Sequence, residues 1–421
     1  MTHSSTPRKK PTRRREQGGA ATAAPIIAVI AGIALLFAAF LVFGSGILGS
    51  PQPGGPAPAQ SAGGQGDSPT SATPQDARVS FVAVGDNLPE TSIGAYADAC
   101  AGEAGDGLYD YRPIYAAVKP YVESADLAYI KQETHLGGDE IGPRGWPSFN
   151  TTDAMADAIV DAGFDLVASA SNHAYDWGYF GAVEHSRSIW NQKPVAFTGT
   201  AASEEEAQTI PVVERNGISF ALLDYTYGVN GHAQGDLPPY AVSFIDEGRI
   251  ESDVARARSM ADVVMVAIHW GTENLTEADA EQTRLAQFLA DLDVDVVLGS
   301  HPHVIGPLAW VEGSSGHRTL VAYSLGNFVS RHDAPALENE LGGMLSCDFV
   351  KSTDGSVGIE NVAWIPLVNH TEEGAYAVYA LKDYTPELAA RHVLLSQLDD
   401  PLGQLDALTR QVIGEEFAID A

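Results

Sequence analysis

The chain has 421 residues, 45% of them hydrophobic, and a formal net charge of -31 from 24 Lys and Arg against 55 Asp and Glu. That length allows one large domain or roughly two to three ordinary ones, with a sizeable core. Nucleic-acid binding is excluded, because phosphate contacts need clustered Lys and Arg, and the clustered ones here (Arg8, Lys9, Lys10, Arg13, Arg14, Arg15) lie at the extreme N-terminus.

Residues 1–19 form that basic head, which is expected to be cytoplasmic. Residues 20–48 carry no charge and hold Ile26, Ile30, Ile33, Leu35, Leu36, Phe37, Phe40, Leu41 and Phe43. About 20 apolar residues span a bilayer as a helix, so this stretch is expected to be one N-terminal transmembrane helix. The basic flank places its N-terminus inside and the rest of the chain outside the cell membrane, as a single-pass protein. A cleaved signal peptide is the competing account. The apolar run is longer than a typical h-region, and the cleavage-like Ala57-Pro58-Ala59 lies too far downstream. Residues 49–77 shift to Gly, Pro, Ala, Ser and Gln. They bury too little to offset their ordering entropy, and read as a disordered linker. Cys100 and Cys347, the two cysteines, allow one disulfide outside the cytoplasm or two separate thiols.

From residue 78 to 368 an apolar, β-branched run repeatedly ends in a polar cluster. Val79 to Val84 leads into Asp86, Leu127 to Ile130 into Lys131-Gln132-Glu133-Thr134, and Phe164 to Ala168 into Ser171-Asn172-His173. A helical pattern from Asp153 to Ala162 stops at Gly163, a C-cap signal. Phe220 to Leu223 leads into Tyr225-Thr226-Tyr227-Gly228 and on to Asn230-Gly231-His232, a candidate substrate loop. Val263 to Ile268 leads into His269-Trp270-Gly271-Thr272-Glu273, and Val294 to Leu298 into Gly299-Ser300-His301-Pro302-His303. If the last segment is extended, alternation gives His301 and His303 different positions around a bimetal centre, and the proline between them restricts His301. Strands alternating with helices imply an α/β domain, whose ligands collect outside the carboxyl ends of strands.

Asp86, Glu133, Asn172, His269, His301 and His303 thereby converge on one edge. Such a set of imidazoles, carboxylates and an amide oxygen suits two divalent ions of the Mn, Fe or Zn class. Ions about 3.5 to 4 Å apart can clamp an oxyanion while activating water.

Six ordered segments resemble the motifs of the CapA/PgsA poly-γ-glutamate capsule biosynthesis family, within the calcineurin-like metallophosphoesterase superfamily. They are Val84-Gly85-Asp86, Gln132-Glu133-Thr134, Ser171 to Gly178, His269 to Glu273, Gly299 to Val304 and Tyr323 to Phe328. The resemblance covers residues 78–368 and leaves 369–421 as an acidic C-terminal extension that packs back on the domain or meets a partner. It implies a metallophosphoesterase-like layered αββα sandwich. It also implies that Asp86 and His303 bind one metal and that Asn172, His269 and His301 bind the other, with Glu133 as the bridging acid. His173 becomes the general acid, with Asp176 orienting it or capping a turn; Glu273 stands further out, and Asn327 fixes a loop. Two departures are visible. Leu88 stands where the superfamily has the His of Asp-x-His, and Lys131 stands where family members commonly have Asn, as an anion-binding cation or a repulsive one.

The function implied is synthesis, retention or export of an anionic capsule polymer such as poly-γ-glutamate, by a metal-dependent hydrolase working with other capsule-synthesis membrane proteins. The alternatives are a general extracellular metallophosphoesterase with a phosphorylated substrate, and a non-catalytic assembly scaffold. So acidic a chain repels a polyanion at long range, which leaves contact to metal ions or to basic residues such as Lys131, Arg144, Arg187 and Arg331.

Overall fold

Strand formation follows the apolar runs, and the computed structural model describes residues 76–332 and 336–420. The basic head, the expected membrane span and nearly all of the linker lie outside the described residues. Among the described residues no helix is long and apolar enough to cross a membrane.

In chain order the strands are β1 (Ala77–Asn87), β2 (Leu127–Gln132), β3 (Leu166–Ala168), β4 (Ala196–Thr198), β5 (Val212–Arg215), β6 (Ile218–Thr226), β7 (Val263–His269) and β8 (Val296–Ser300). They continue with β9 (Leu308–Glu312), β10 (Arg318–Ala322), β11 (Asn327–Val329), β12 (Leu341–Lys351), β13 (Val357–Glu372), β14 (Ala375–Ala380) and β15 (Ala418–Ile419). Among the described residues they build two sheets. One runs β14-β13-β12-β1-β2-β3-β4, with β11 added beside β1 and β15 beside β13; the other runs β5-β6-β7-β8-β10-β9.

Side-chain alternation along each strand sorts the core into layers. Val79, Phe81 and Ala83 of β1 share one cluster with Phe220, Leu222, Met265 and Leu298, between the sheets. Val82 and Val84 face the other way, onto helix Thr91–Ala101 through Ile93 and onto helix Ala154–Ala162 through Met155 and Ile159. On the far side of the second sheet, Val264, Val266 and Val297 pack on helices Glu247–Arg258 and Ala280–Asp291. The result is the layered αββα sandwich expected from the sequence. Helix Ala154–Ala162 ends at Gly163 with φ 98°, the left-handed turn that glycine adopts without a Cβ penalty.

Two parallel sets, β1-β2-β3-β4 and β6-β7-β8-β10, place their carboxyl ends along one rim. Register does the rest: Asp86 stands beside both Lys131 and Asn327, and His269 beside Ser300. Close backbone approach is needed at Gly85 and Gly299, where a Cβ would lie 1.9 Å from the Gly326 carbonyl oxygen and 2.2 Å from that of Tyr323.

The boundary placed after residue 368 is corrected by the structure, since it falls inside β13. Asn369 to Glu372 remain paired with β14, and Leu381, Tyr384, Leu395, Leu405 and Phe417 are buried in the cluster between the sheets. The apolar residues of this segment were visible in the sequence, but its acidic average hid that they complete the main core. Both cysteines are free thiols, Cys347 being buried in that core. A chain ending at Val368 leaves this cluster open to water and is expected to lose its cooperative unfolding transition, as checked by near-UV circular dichroism in urea.

Candidate metal centre

The rim is built around an ion pair. Lys131, at the end of β2, and Asp224, on β6, are both fully buried, with Nζ 2.9 Å from Oδ1. Lys131 also donates to the Ala170 carbonyl, and Asp224 Oδ2 accepts the Ala170 N–H at 2.6 Å. Both polar groups of one peptide residue are thus held just before Ser171-Asn172-His173. The expectation that Lys131 meets an anionic ligand is corrected: its charge is spent inside the protein, between the sheets.

Above this pair the expected residues come together. Asn172 Oδ1 lies 2.9 Å from His269 Nε2. Glu133 Oε1 lies 3.8 Å from His269 Nε2 and 3.8 Å from His303 Nε2, between two imidazole nitrogens. Asp86 Oδ2 accepts the His301 backbone N–H at 3.0 Å and lies 3.7 Å from His303 Nδ1. All six of these residues are buried.

The extended geometry expected at His301-Pro302-His303 is not found. Their φ values are 99° for His301 and 59° for His303, a region that costs non-glycine residues energy and is concentrated at functional sites. The turn carries the His301 amide to Asp86 while both rings stay at the rim. Each ring is then fixed from behind. His269 Nδ1 meets Ser300 Oγ at 2.9 Å, and His303 Nδ1 meets Asn327 Oδ1 at 3.1 Å. With Nδ1–H donating to the Asn327 oxygen, His303 Nε2 is left as a lone pair facing Glu133.

Electrostatics say what is missing from the protein's own groups. Asp86 Oδ1, both carboxylate oxygens of Glu133 and Nδ1 of His301 are buried without a hydrogen-bond partner among the described residues. Burial pushes Asp86 up and Glu133 well above the usual carboxylate range; Lys131 pulls both back in part. Burial likewise lowers His301 to about 3 and holds His269 well below the usual imidazole value, so both are neutral lone-pair donors near pH 7. Unpaired carboxylates surrounded by neutral imidazoles in a dry site are the donor set a divalent cation satisfies. Among the described residues, two groupings have ligand atoms within 4.8 Å of one another: Asp86, Glu133 and His303, and Glu273, His301 and His303.

The family called "Bacterial capsule synthesis protein PGA_cap" matches residues 80–332. This chain belongs to that family. The match begins in β1 and ends just past β11, so every residue of this PGA_cap centre lies within it. The chain is 27% identical to the PGA biosynthesis protein CapA of Bacillus subtilis (strain 168) over 276 residues, 63% of this chain and 67% of that protein. It is 27% identical to the capsule biosynthesis protein CapA of Bacillus anthracis over 178 residues, 41% of each chain. Among solved structures it is similar to the NAD nucleotidase of Haemophilus influenzae, with 12% identity, a TM-score of 0.41, and coverage of 80% of this chain and 60% of that one. It is also similar to a purple acid phosphatase from yellow lupin seeds, with 12% identity, a TM-score of 0.33, and coverage of 68% and 53%.

Around the PGA_cap centre, His173 Nδ1 lies 2.7 Å from Asp176 Oδ2, which also accepts the Phe149 N–H at 2.7 Å. Phe149 then packs edge-on against the His173 ring. Asn230 reaches His173 Nε2 at 3.5 Å from the loop after β6. Of the residues set further out by sequence, Glu273 comes nearer than expected and offers an exposed carboxylate to His301 and His303. Tyr227, half exposed, lies 4.8 Å from the His301 ring, and its phenol is pushed up to about 12 by burial, with Glu273 and Glu133 adding to the shift. His232 is exposed, its ring against Tyr175. Asp224 and His135 were missed by sequence reasoning. For Asp224 the available signal was a charge closing an otherwise apolar strand.

Two outcomes are expected. Lys131→Met strands a buried carboxylate and costs about 3–5 kcal/mol; adding Asp224→Asn, which keeps an acceptor for Ala170, recovers a large part, as read from urea midpoints. His135 is buried, its Nδ1 faces the His173 carbonyl at 3.1 Å, and burial lowers its pKa to about 4. The unfolded chain takes up this proton near pH 6.5 while the folded chain refuses it until about pH 4, so stability present above 6.5 falls as pH drops through that window. His135→Gln makes the decline between pH 6.5 and 4 shallower, by a few kcal/mol at most.

Proposed function

We propose that this chain is a membrane-anchored, extracytoplasmic capsule-synthesis protein that cleaves or transfers a linkage in an anionic polymer of the poly-γ-glutamate kind at a dinuclear divalent-metal site. The observation that carries this reading is the set of buried, unpartnered carboxylate oxygens on Asp86 and Glu133 beside His269, His301 and His303. Asp86, Glu133 and His303 would hold one ion; Asn172, His269 and His301 would hold the other with Glu133 shared, and Glu273 is within reach of His301 and His303. A metal pair supplies Lewis-acid polarisation of a substrate oxygen and lowers the pKa of water.

The rest of the chemistry belongs to the chain. His173 Nε2 faces the loop side, next to Asn230, while Nδ1 is committed to Asp176. This orients the ring so that its imidazolium form would give the Nε2 proton to a leaving group and revert to the Nδ1–H tautomer held by Asp176. Phe149 packs against the ring with centroids 4.5 Å apart. Polymer contact has to be local because the chain is acidic. Lys131 is buried in its ion pair, and Arg187 is paired with Glu206 over the Phe197 ring. The metal ions, together with Arg144, would supply the positive charge. Buried Leu88, at the place of a superfamily ligand, favours a second reading in which the site serves assembly without turnover.

Metal analysis and phosphomonoester, phosphodiester and γ-glutamyl hydrolysis assays of the full chain separate these readings. The expected result is near-stoichiometric metal, lost together with activity in His301→Ala/His303→Ala. Asp176→Asn is expected to keep the metal and lower kcat by roughly 10–100-fold. A folded wild type without metal sinks the dinuclear site; metal without turnover on any of these substrates leaves the assembly role.

A further inference from the structure

The loop after β6, Tyr225 to Asn230, runs beside the metal centre, and the catalytic reading takes only Asn230 from it. Its backbone is held at three points. The Thr226 N–H donates to the Ser243 carbonyl at 2.9 Å, the Tyr227 N–H to the His269 carbonyl at 3.1 Å, and the Asn230 N–H to the Asn172 carbonyl at 2.8 Å. The Thr226 hydroxyl closes the bend on the Gly228 carbonyl at 3.0 Å, and the buried Tyr225 anchors it through a hydroxyl 3.1 Å from Asp253 Oδ2. Side chains on so constrained a backbone are preorganised.

Asn230 stands 3.5 Å from His173 Nε2. Tyr227 stands at the other imidazoles: its ring centroid is 4.8 Å from that of His301 and 6.3 Å from that of His269, in the second case with the planes only 6° apart. Glu273, Glu133 and Asn172 are the groups that act on its phenol, so the hydroxyl shares the surroundings of the centre itself. Half of the residue is nevertheless exposed, and a substrate can reach it.

A plain structural use exists for the ring, which packs beside His301 and His269. Phenylalanine would serve that purpose equally well. What it leaves unexplained is the hydroxyl, whose hydrogen meets no acceptor among the described residues. Asn172 turns its Oδ1 to His269 and lowers the phenol by hydrogen bonding, which is the sense of its Nδ2–H donating to the phenol oxygen. A phenol is protonated at neutral pH, so this one has a hydrogen to give and an oxygen held in place. Breaking a phosphate ester or an amide builds negative charge on a non-leaving oxygen of the scissile group. A fixed neutral donor stabilises that charge without reorganising.

We infer that Tyr227 is a catalytic residue whose hydroxyl donates a hydrogen bond to the non-leaving oxygen of the scissile group as charge builds there, while His173, beside Asn230 of the same loop, serves the leaving group. No proton is transferred at Tyr227. The inference rests on the dinuclear hydrolase reading for its reaction, and on the loop for its geometry. Tyr227→Phe in the full chain keeps the ring beside His301 and removes only the hydroxyl, so metal content and urea midpoint are expected to be unchanged. The kcat value falls about 100-fold on whichever phosphoester or γ-glutamyl substrate the wild type turns over, with KM little altered. Calorimetric titration with inorganic phosphate, a tetrahedral oxyanion, gives a reading that needs no turnover: affinity weakens about tenfold or more in the variant. In an active, metal-loaded chain, unchanged kcat and phosphate affinity, a rise in KM alone, or loss of metal from Tyr227→Phe overturns the donor role alone. A metal-loaded wild type that turns nothing over, yet binds phosphate more tightly than the variant, overturns the hydrolase reading and leaves Tyr227 as an anion-binding donor. A wild type that holds no metal and binds no phosphate overturns both.

Discussion

Two full charges sit between the sheets with no access to water, and their attraction organises the rim above them. Removing Lys131 and Asp224 from solvent costs several kcal/mol per ion, which their contact offsets only because the remaining hydrogen-bonding capacity is also met. The Ala170 N–H and C=O meet it. The pair thus fixes three things at once: the spacing of β2 against β6, the path of the chain after β3, and hence the position of Asn172 and His173. It also sets a positive charge near Asp86 and Glu133, which lowers the cost of keeping those carboxylates ionised in a dry site.

The other half of the rim is fixed by backbone geometry. β8 approaches the chain after β10 so closely that Gly299 has no room for a Cβ, and two residues later the chain turns through a positive φ at His301. Those constraints send the His301 amide to Asp86 on the first sheet. Asn327, paired in register with Asp86, reaches back to His303. Rim residues from two sheets are therefore cross-braced by hydrogen bonds among the protein's own groups, which is the condition for a preorganised site.

Much of this architecture was legible in the sequence. The strands at the carboxyl rim followed from apolar runs ending in polar clusters, and the order of six motifs gave the layered architecture. Asp86, Glu133, Asn172, His269, His301 and His303 were readable because each closes such a run. What was hidden depended on partners distant in sequence. Lys131 looked like a cation facing a ligand because nothing local reveals Asp224, 93 residues further on. The turn at His301 looked extended because proline biases its predecessor that way, and the hydrogen bond to Asp86 that favours the turn is between residues 215 apart. The last fifty residues were expected to pack back on the domain or meet a partner; they pack back, and that they complete the main core is decided by single positions such as Leu395 and Leu405, which an acidic average does not show.

Leu88 removes one expected nitrogen from the donor set around Asp86, but the loss is not matched by a shortage of negative charge. Asp86 and Glu133 are both present and buried, Glu273 reaches His301 and His303 from the solvent side, and three oxygens of Asp86 and Glu133 have no hydrogen-bond partner among the described residues. A hard divalent ion is held chiefly by oxygen charge, and a softer one chiefly by nitrogen. Replacing an imidazole by leucine at this position therefore leaves Asp86, Glu133 and His303 as an oxygen-rich donor set, while Asn172, His269 and His301 form a nitrogen-rich one.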